Sequence, residues 1–294
     1  MKSFIRVCLI LLLICLFYVV GERFHHFLTD GFTLARAKSD QFYLDGSDMT
    51  APSPQELDKI HHIFDQEFTY LGKGTQSFAF ESRDKAYVLK LYKHHRHRRG
   101  LWMQPFCLPP FDEFWHLKRL EQTRHFQETF YSFKLAFDVL KQETGLIFMH
   151  LGKTQFLNQK VAIIDKMERR HWIDLDQMEF SLQLRAQLIK PLIEELMNRG
   201  DIERAKEILT GVVDLLKKRC EKGIGDRDPG ITYNLGFTKE GAIFIDLGQF
   251  YLAPELKDKT RAREKIYDVT GTLRDWLKIH YPELEMHVLT EVRK

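Results

Sequence analysis

Residues 68–93 read FTYLGKGTQSFAFESRDKAYVLKLYK. Apolar and polar residues alternate on both sides of Arg83-Asp84-Lys85, which predicts antiparallel strands joined by a polar turn. Between the first two strands, Leu71-Gly72-Lys73-Gly74-Thr75-Gln76-Ser77 sets Gly72 and Gly74 where backbone N–H groups approach a phosphate with no Cβ in the way. A plain hairpin turn uses the same glycines, so both readings stand. Lys90, in Val88-Leu89-Lys90, then places an ammonium in an apolar strand. Burial there is costly unless the lysine meets an anion, such as a nucleotide phosphate or a helix carboxylate.

Downstream of these strands the basic run Lys93 to Arg99 (KHHRHRR) offers a phosphate or an anionic lipid surface a charged patch, or is a solvated loop. After a proline-rich turn, a long helical pattern covers Phe111 to Lys141. Phe126, Phe130, Phe133, Phe137 and Leu140 recur at spacings of 4, 3, 4 and 3, so one face packs as core. Glu121 falls on the line of Phe114 and Leu117, where it either points inward to pair Lys90 or faces solvent. Gly145 to Leu151 and Val161 to Met167 read as two further strands.

The second half reads as mainly helical. Leu184, Leu188, Leu192 and Leu196 mark one amphipathic helix stopped by Gly200, and Ala205, Ile208, Val212 and Leu215 mark another that ends near Gly223. Residues 223–248, GIGDRDPGITYNLGFTKEGAIFIDLG, then bracket a tight hairpin with polar side chains. Asn234 leads one strand and Asp246 ends the other, so their oxygens converge on one hard cation, with Asp226 and Asp228 just upstream. Asp, Asn, Gly and Pro are also ordinary turn formers.

The order of these parts, from glycine loop through strand lysine, helix and helical half to Asp, Asn and Asp-Leu-Gly, resembles the protein-kinase-like superfamily, including its aminoglycoside-phosphotransferase-like and atypical bacterial members. The resemblance covers about Phe68 to Phe250. It implies an α+β, two-lobed fold, with a small sheet-plus-helix lobe over 66–167 and a mainly helical lobe over 168–294. It also implies ATP and Mg²⁺, with Gly72, Gly74, Lys90 and Glu121 at the nucleotide, Asn234 and Asp246 at the metal, and Asp228 or Asp226 at the acceptor hydroxyl. Several positions depart from the pattern. Ser77 takes the third glycine position, and the H-R-D triplet becomes Asp226-Arg227-Asp228, with Asn234 six residues after Asp228 where the motif has five. Read as H-G-D, the loop is Ile224-Gly225-Asp226 with Asn234 eight residues on; Asp228 needs less distortion. No long activation segment follows Asp246.

Ahead of this body, residues 1–21 are a transmembrane anchor or signal segment, since Val7 to Val20 are 14 residues without a charge. An uncleaved single-pass anchor makes the protein membrane-bound, whereas cleavage makes it secreted; Lys2 and Arg6 balance Arg23, Arg36 and Lys38, so orientation is a tie. Residues 22–65 read as a tether with a short helix near Pro54 to Phe64. A formal charge of +3 implies no nucleic-acid partner, and the four cysteines match no metal-finger spacing. Two functions follow. One is a membrane-associated, Mg-ATP-dependent phosphotransferase acting on a hydroxyl. The other is an inactive kinase-like module, tethered to the membrane, that binds a partner or an anionic headgroup.

Overall fold

The computed structural model describes residues 2–38, 49–93, 112–228 and 230–294, so His94 to Arg99 and the proline-rich turn lie outside the described residues. The fold is mixed α+β. Helices α1 (Lys2–Thr29), α2 (Leu34–Ala37) and α3 (Pro54–Phe64) precede strands β1 (Phe68–Lys73), β2 (Ser77–Ser82) and β3 (Tyr87–Tyr92). There follow α4 (Asp112–Val139), α5 (Lys141–Thr144), β4 (Leu146–His150), β5 (Lys160–Ile164), β6 (Arg170–Asp174), β7 (Phe180–Leu184) and β8 (Gln187–Leu188). The rest comprises α6 (Ile189–Asn198), α7 (Ile202–Glu221), β9 (Ile224–Asp226), α8 (Ile231–Asn234), β10 (Leu235–Thr238), β11 (Gly241–Phe244), β12 (Phe250–Leu252), α9 (Lys259–Val269), α10 (Gly271–His280) and α11 (Pro282–Arg293). A seven-stranded sheet has the order β4-β7-β3-β2-β1-β5-β6. The chain divides into two compact units: Met1–Arg98 with His150–Phe180, and Arg99–Met149 with Ser181–Lys294.

In the first unit β1, β2 and β3 form an antiparallel meander. Its β2–β3 turn is closed by Asp84, whose carboxylate accepts from Ser82 Oγ and the Ala86 N–H at 2.6 and 3.0 Å, while Lys85 adopts φ 56°. The register slips between Tyr70 and Gly72, so Leu71 is an extra, exposed residue. That bulge puts Tyr70 and Lys73, three residues apart, on the same face as Phe80 and Phe78. Phe78↔Leu91 and Phe80↔Leu89 share this face, and Ala79↔Lys90 point to the other.

Helix α1 supplies a segment of 20 residues, Ile10–Thr29, long and apolar enough to cross a membrane or to serve as a signal sequence. At 1.5 Å per residue this is about 30 Å, one hydrocarbon thickness. The stretch 22–65, read from its composition as a tether, is partly built into the unit: α1 runs on to Thr29, and Thr29, Phe32 and Ala37 are buried. Polar composition hid this because one ring does the packing. Phe32 lies 5.1 and 5.2 Å from the rings of Phe78 and Phe80, both edge-on. The chain reaches that position by left-handed Asp30 and Gly31 (φ 52° and 77°). A Cβ at Gly31 would sit 2.8 Å from the His26 ring and 2.9 Å from the Arg36 guanidinium, so only glycine fits. Helix α3 starts with a full capping box, Ser53 with Glu56, and buries Ile60, Ile63 and Phe64.

In the second unit α7 is the central helix. Asp201 caps it through the Arg204 N–H at 3.2 Å, and Ile208, Leu209, Val212, Val213, Leu215 and Leu216 are buried. The helix read over Leu184 to Leu196 begins later, at Ile189; Leu184 and Leu188 belong to strands β7 and β8. Leucines four apart suit a helix, but here the first two of the four belong to strands. Pro191, three residues into α6, marks the true start, because proline is tolerated only in a first turn. The tail aligns Val269, Leu273 and Leu277 as buried residues, divided between α9 and α10.

Candidate functional site

The sequence 223–248 builds its site in the second unit. Strand β9 pairs antiparallel with β12, Asp226 opposite Phe250 and Gly225 opposite Tyr251. A Cβ on Gly225 would lie 2.3 Å from Cζ of Tyr251, so the ring crosses where only glycine leaves room. Past this strand the chain turns at Gly230, and β10 and β11 form the expected hairpin, with β8 as a third strand. The Ile245 N–H donates to the Asn234 carbonyl at 2.8 Å, which sets Asn234 beside the residue preceding Asp246.

The two candidate loop aspartates have different surroundings. Asp226 is 9% exposed and its Oδ2 accepts from the buried Arg219 guanidinium at 3.0 Å. Its Oδ1 accepts from the Asp228 N–H at 3.0 Å, so both oxygens are engaged. Burial pushes the Asp226 carboxyl up; Arg219 pulls it back, and the nearby Asp228 and Asp246 carboxylates add to the rise. Burial likewise lowers the Arg219 value, so desolvation opposes charge on both partners. Asp228 is exposed, with Oδ1 on the Gly230 N–H at 2.9 Å. A Cβ on Gly230 would be 3.0 Å from that Oδ1 and 3.2 Å from Nδ2 of Asn234, so the two side chains flank one point. Asp246 is exposed too, its Oδ1 accepting from the Gly248 N–H at 3.2 Å.

The turn after Asp246 is fixed by a residue that sequence reading passed over. Ser132, buried on α4, donates to the Leu247 carbonyl and accepts from the Phe250 N–H at 2.7 Å. Its one sequence signal is a hydroxyl amid the aromatic stripe at Phe130 and Phe133. Arg219 was also unmarked, being one more basic residue in the last turn of α7.

The cluster suits Mg²⁺ by donor type: an exposed carboxylate at Asp246, the amide oxygen of Asn234, and Asp228 close by are hard oxygens. Among the described residues there is no group of three or more His, Cys, Asp or Glu side chains arranged to hold a metal ion. A metal here would keep waters and share a substrate phosphate, as Mg²⁺ usually does.

The remaining candidates are divided between the units. Glu121 belongs to the second; its side chain on α4 is 63% exposed, 3.9 Å from His125. Gly72, Gly74 and Lys90 lie in the first. Lys90 is half-buried on β3 beside Ala79 of β2. The Gly74 N–H donates to the Ser77 carbonyl at 2.9 Å, and its own carbonyl accepts from the Lys93 ammonium. Neither Gly72 nor Gly74 has a positive φ, and an added Cβ would meet nothing within 4 Å at Gly72 and only Ser77, at 3.9 Å, at Gly74. The hairpin therefore does not itself demand glycine at either position.

No protein-family model matches the chain, and no curated protein matches it at a significant level.

Proposed function

We propose that the chain is a membrane-associated, kinase-like phosphotransferase with a two-lobed kinase-like arrangement, using Mg-ATP to phosphorylate a hydroxyl acceptor. The observation that carries this reading is the division of labour between the two loop aspartates. Asp226 is fully engaged by Arg219 and by backbone, while Asp228 keeps a carboxylate in solvent beside Asn234. A loop built only as a turn would not need a buried arginine to hold it in place. Glycine at positions 72 and 74, which their hairpin does not require, supports the same reading.

In this mechanism Asp228 orients the acceptor hydroxyl and takes its proton as the oxygen attacks the γ-phosphorus and the bond to the β-phosphate oxygen breaks, releasing ADP. Asn234 and Asp246 would hold the metal, which would supply neutralisation of phosphate charge. Lys90 is assigned to the nucleotide phosphates. Arg219 and Ser132 are positioning residues: the first fixes Asp226 and hence the Asp228 N–H, the second fixes the turn that carries Asp246. The reading requires α1 to remain as an anchor and to leave the body on the side of the membrane that holds ATP.

The test is a thermal shift of the full chain in detergent with ATP, with and without Mg²⁺. At a hundredfold excess over the dissociation constant the stabilisation is about 2.7 kcal/mol. It should need Mg²⁺ and vanish in Asp246→Ala, which should also lower turnover by a factor on the order of 10³ with the fold intact. Absence of any shift in a folded sample would leave the inactive tethered module as the function.

A further inference from the structure

The β9–β12 ribbon has two unlike faces. Asp226 and Phe250, paired across it, are buried on one, and Gly225 and Tyr251 lie on the other. The Arg227 N–H donates to the Gln249 carbonyl at 3.1 Å, which carries the ladder one residue further and returns Arg227 to the side of Tyr251. There the Tyr251 ring lies across Gly225, where any Cβ would collide with it. The Arg227 guanidinium lies over that ring, 5.1 Å from its centre. The glycine thus makes room for a platform, and the platform carries a cation.

Arg227 differs from the other arginines that lie over aromatic rings. Arg204 is bonded to Glu207, Arg219 to Asp226 and Arg274 to the Tyr267 carbonyl, so each of their guanidinium groups has an acceptor as well as a ring. Arg227 is exposed, and among the described residues no carboxylate or carbonyl takes its side-chain N–H groups. The carboxylates on either side of it are engaged elsewhere: Asp226 with Arg219 and the Asp228 N–H, Asp228 through Oδ1 with the Gly230 N–H. A ring beneath a guanidinium fixes its plane and leaves the N–H groups at its edge open, and that fork fits two oxygens of a carboxylate or a phosphate. Arg227 is also the residue before Asp228, with Cα atoms about 3.8 Å apart, so a hydroxyl held by one and an anion held by the other belong to one small part of an acceptor.

We propose that Arg227, set on Tyr251, determines acceptor specificity, and that the acceptor is an alcohol carrying a carboxylate or a phosphate close to the hydroxyl that is phosphorylated. The inference rests on the phosphotransferase reading of the Asp228 site and adds to it the class of acceptor. The transfer keeps its balance: the acceptor O–H bond and the bond from the γ-phosphorus to the β-phosphate oxygen break, the new P–O bond forms, the proton passes to Asp228 and ADP leaves.

The full chain in detergent is given Mg-ATP with glycerol, glycerol 3-phosphate or glycerate, and ADP release is measured. The two anionic alcohols should exceed glycerol in kcat/KM by about tenfold or more, the worth of a charge-assisted hydrogen-bonded pair. Arg227→Gln should raise KM for both by about tenfold with a smaller change in kcat, and Arg227→Lys should restore part of the loss. Tyr251→Leu, which removes the platform and keeps the cation, should give a weaker form of the same defect. Turnover without preference for the anionic alcohols, or a preference that survives Arg227→Gln, would overturn the proposal and spare the phosphotransferase. If none of the three alcohols turns over, the rate at which phenylglyoxal modifies Arg227, followed by mass spectrometry in the presence of Mg-ATP, decides: glycerol 3-phosphate and glycerate should slow it where glycerol does not, and equal rates would overturn the proposal. Phosphatidylglycerol in the detergent offers the same chemistry from a lipid, and turnover with it alone would support the acceptor class and assign its source to the membrane. Absence of the ATP thermal shift that needs Mg²⁺ and Asp246 would remove the phosphotransferase reading and this acceptor with it.

Discussion

Asp30 and Asp226 are both aspartates held by basic side chains, yet their acidities move in opposite directions. Asp30 sits at an open cleft with Lys73, Lys166 and Tyr70 around it, and although desolvation is the largest single influence, the three donors together outweigh it. Asp226 sits in β9, paired with β12, with one arginine, and there burial, again the largest influence, is not overcome. An ion pair is therefore not one kind of interaction. Near water, added partners decide the balance; inside, loss of water does.

The sharpest way to break the comparison is to remove one partner from each pair. Arg219→Met leaves a buried carboxylate uncompensated and should cost the full chain about 3–5 kcal/mol in urea unfolding; pairing it with Asp226→Leu should recover much of that loss. Lys73→Gln, at a half-exposed pair, should cost less than about 1 kcal/mol by the same measurement. A gentler contrast lies in pH. The raised Asp226 value means the folded state holds its proton longer than the unfolded chain, so this group's contribution is present below the unfolded value and declines as pH rises to the folded one. The lowered Asp30 value does the reverse, giving stability above the ordinary carboxylate range that is lost as pH falls through the folded value. Across an acid titration, the stability difference between wild type and Asp30→Asn should therefore shrink toward low pH. For Asp226→Asn it should change in the opposite sense.

These pairs also mark what a sequence reader sees. Alternation exposed β1, β2 and β3, and turn chemistry exposed the 234–246 hairpin, because both are local patterns. Strand β7 escaped because Phe180, Ser181, Leu182 and Gln183 are all buried, leaving no polar face to alternate with an apolar one. The aspartates of the 226–246 site were visible as turn formers, but the arginine seven residues upstream and the serine on α4 were not. Their roles come from tertiary contacts over 7 and 115 residues, for which sequence has no period. Lys73 was read as part of a glycine loop; the one-residue bulge that turns it toward Asp30 has no signature in composition.

The corner at Asp30 and Gly31 also has a mechanical consequence. Helix α1 ends there with Thr29 buried, and Phe32, one residue past the corner, is wedged between two phenylalanine rings of the sheet. A joint made this way has little play about the helix axis. On the proposed reading of α1 as an anchor, its tilt or rotation would be delivered to the β1–β3 meander as torque rather than absorbed by slack. One residue inserted ahead of Asp30 would swing the meander by about 100° around the helix.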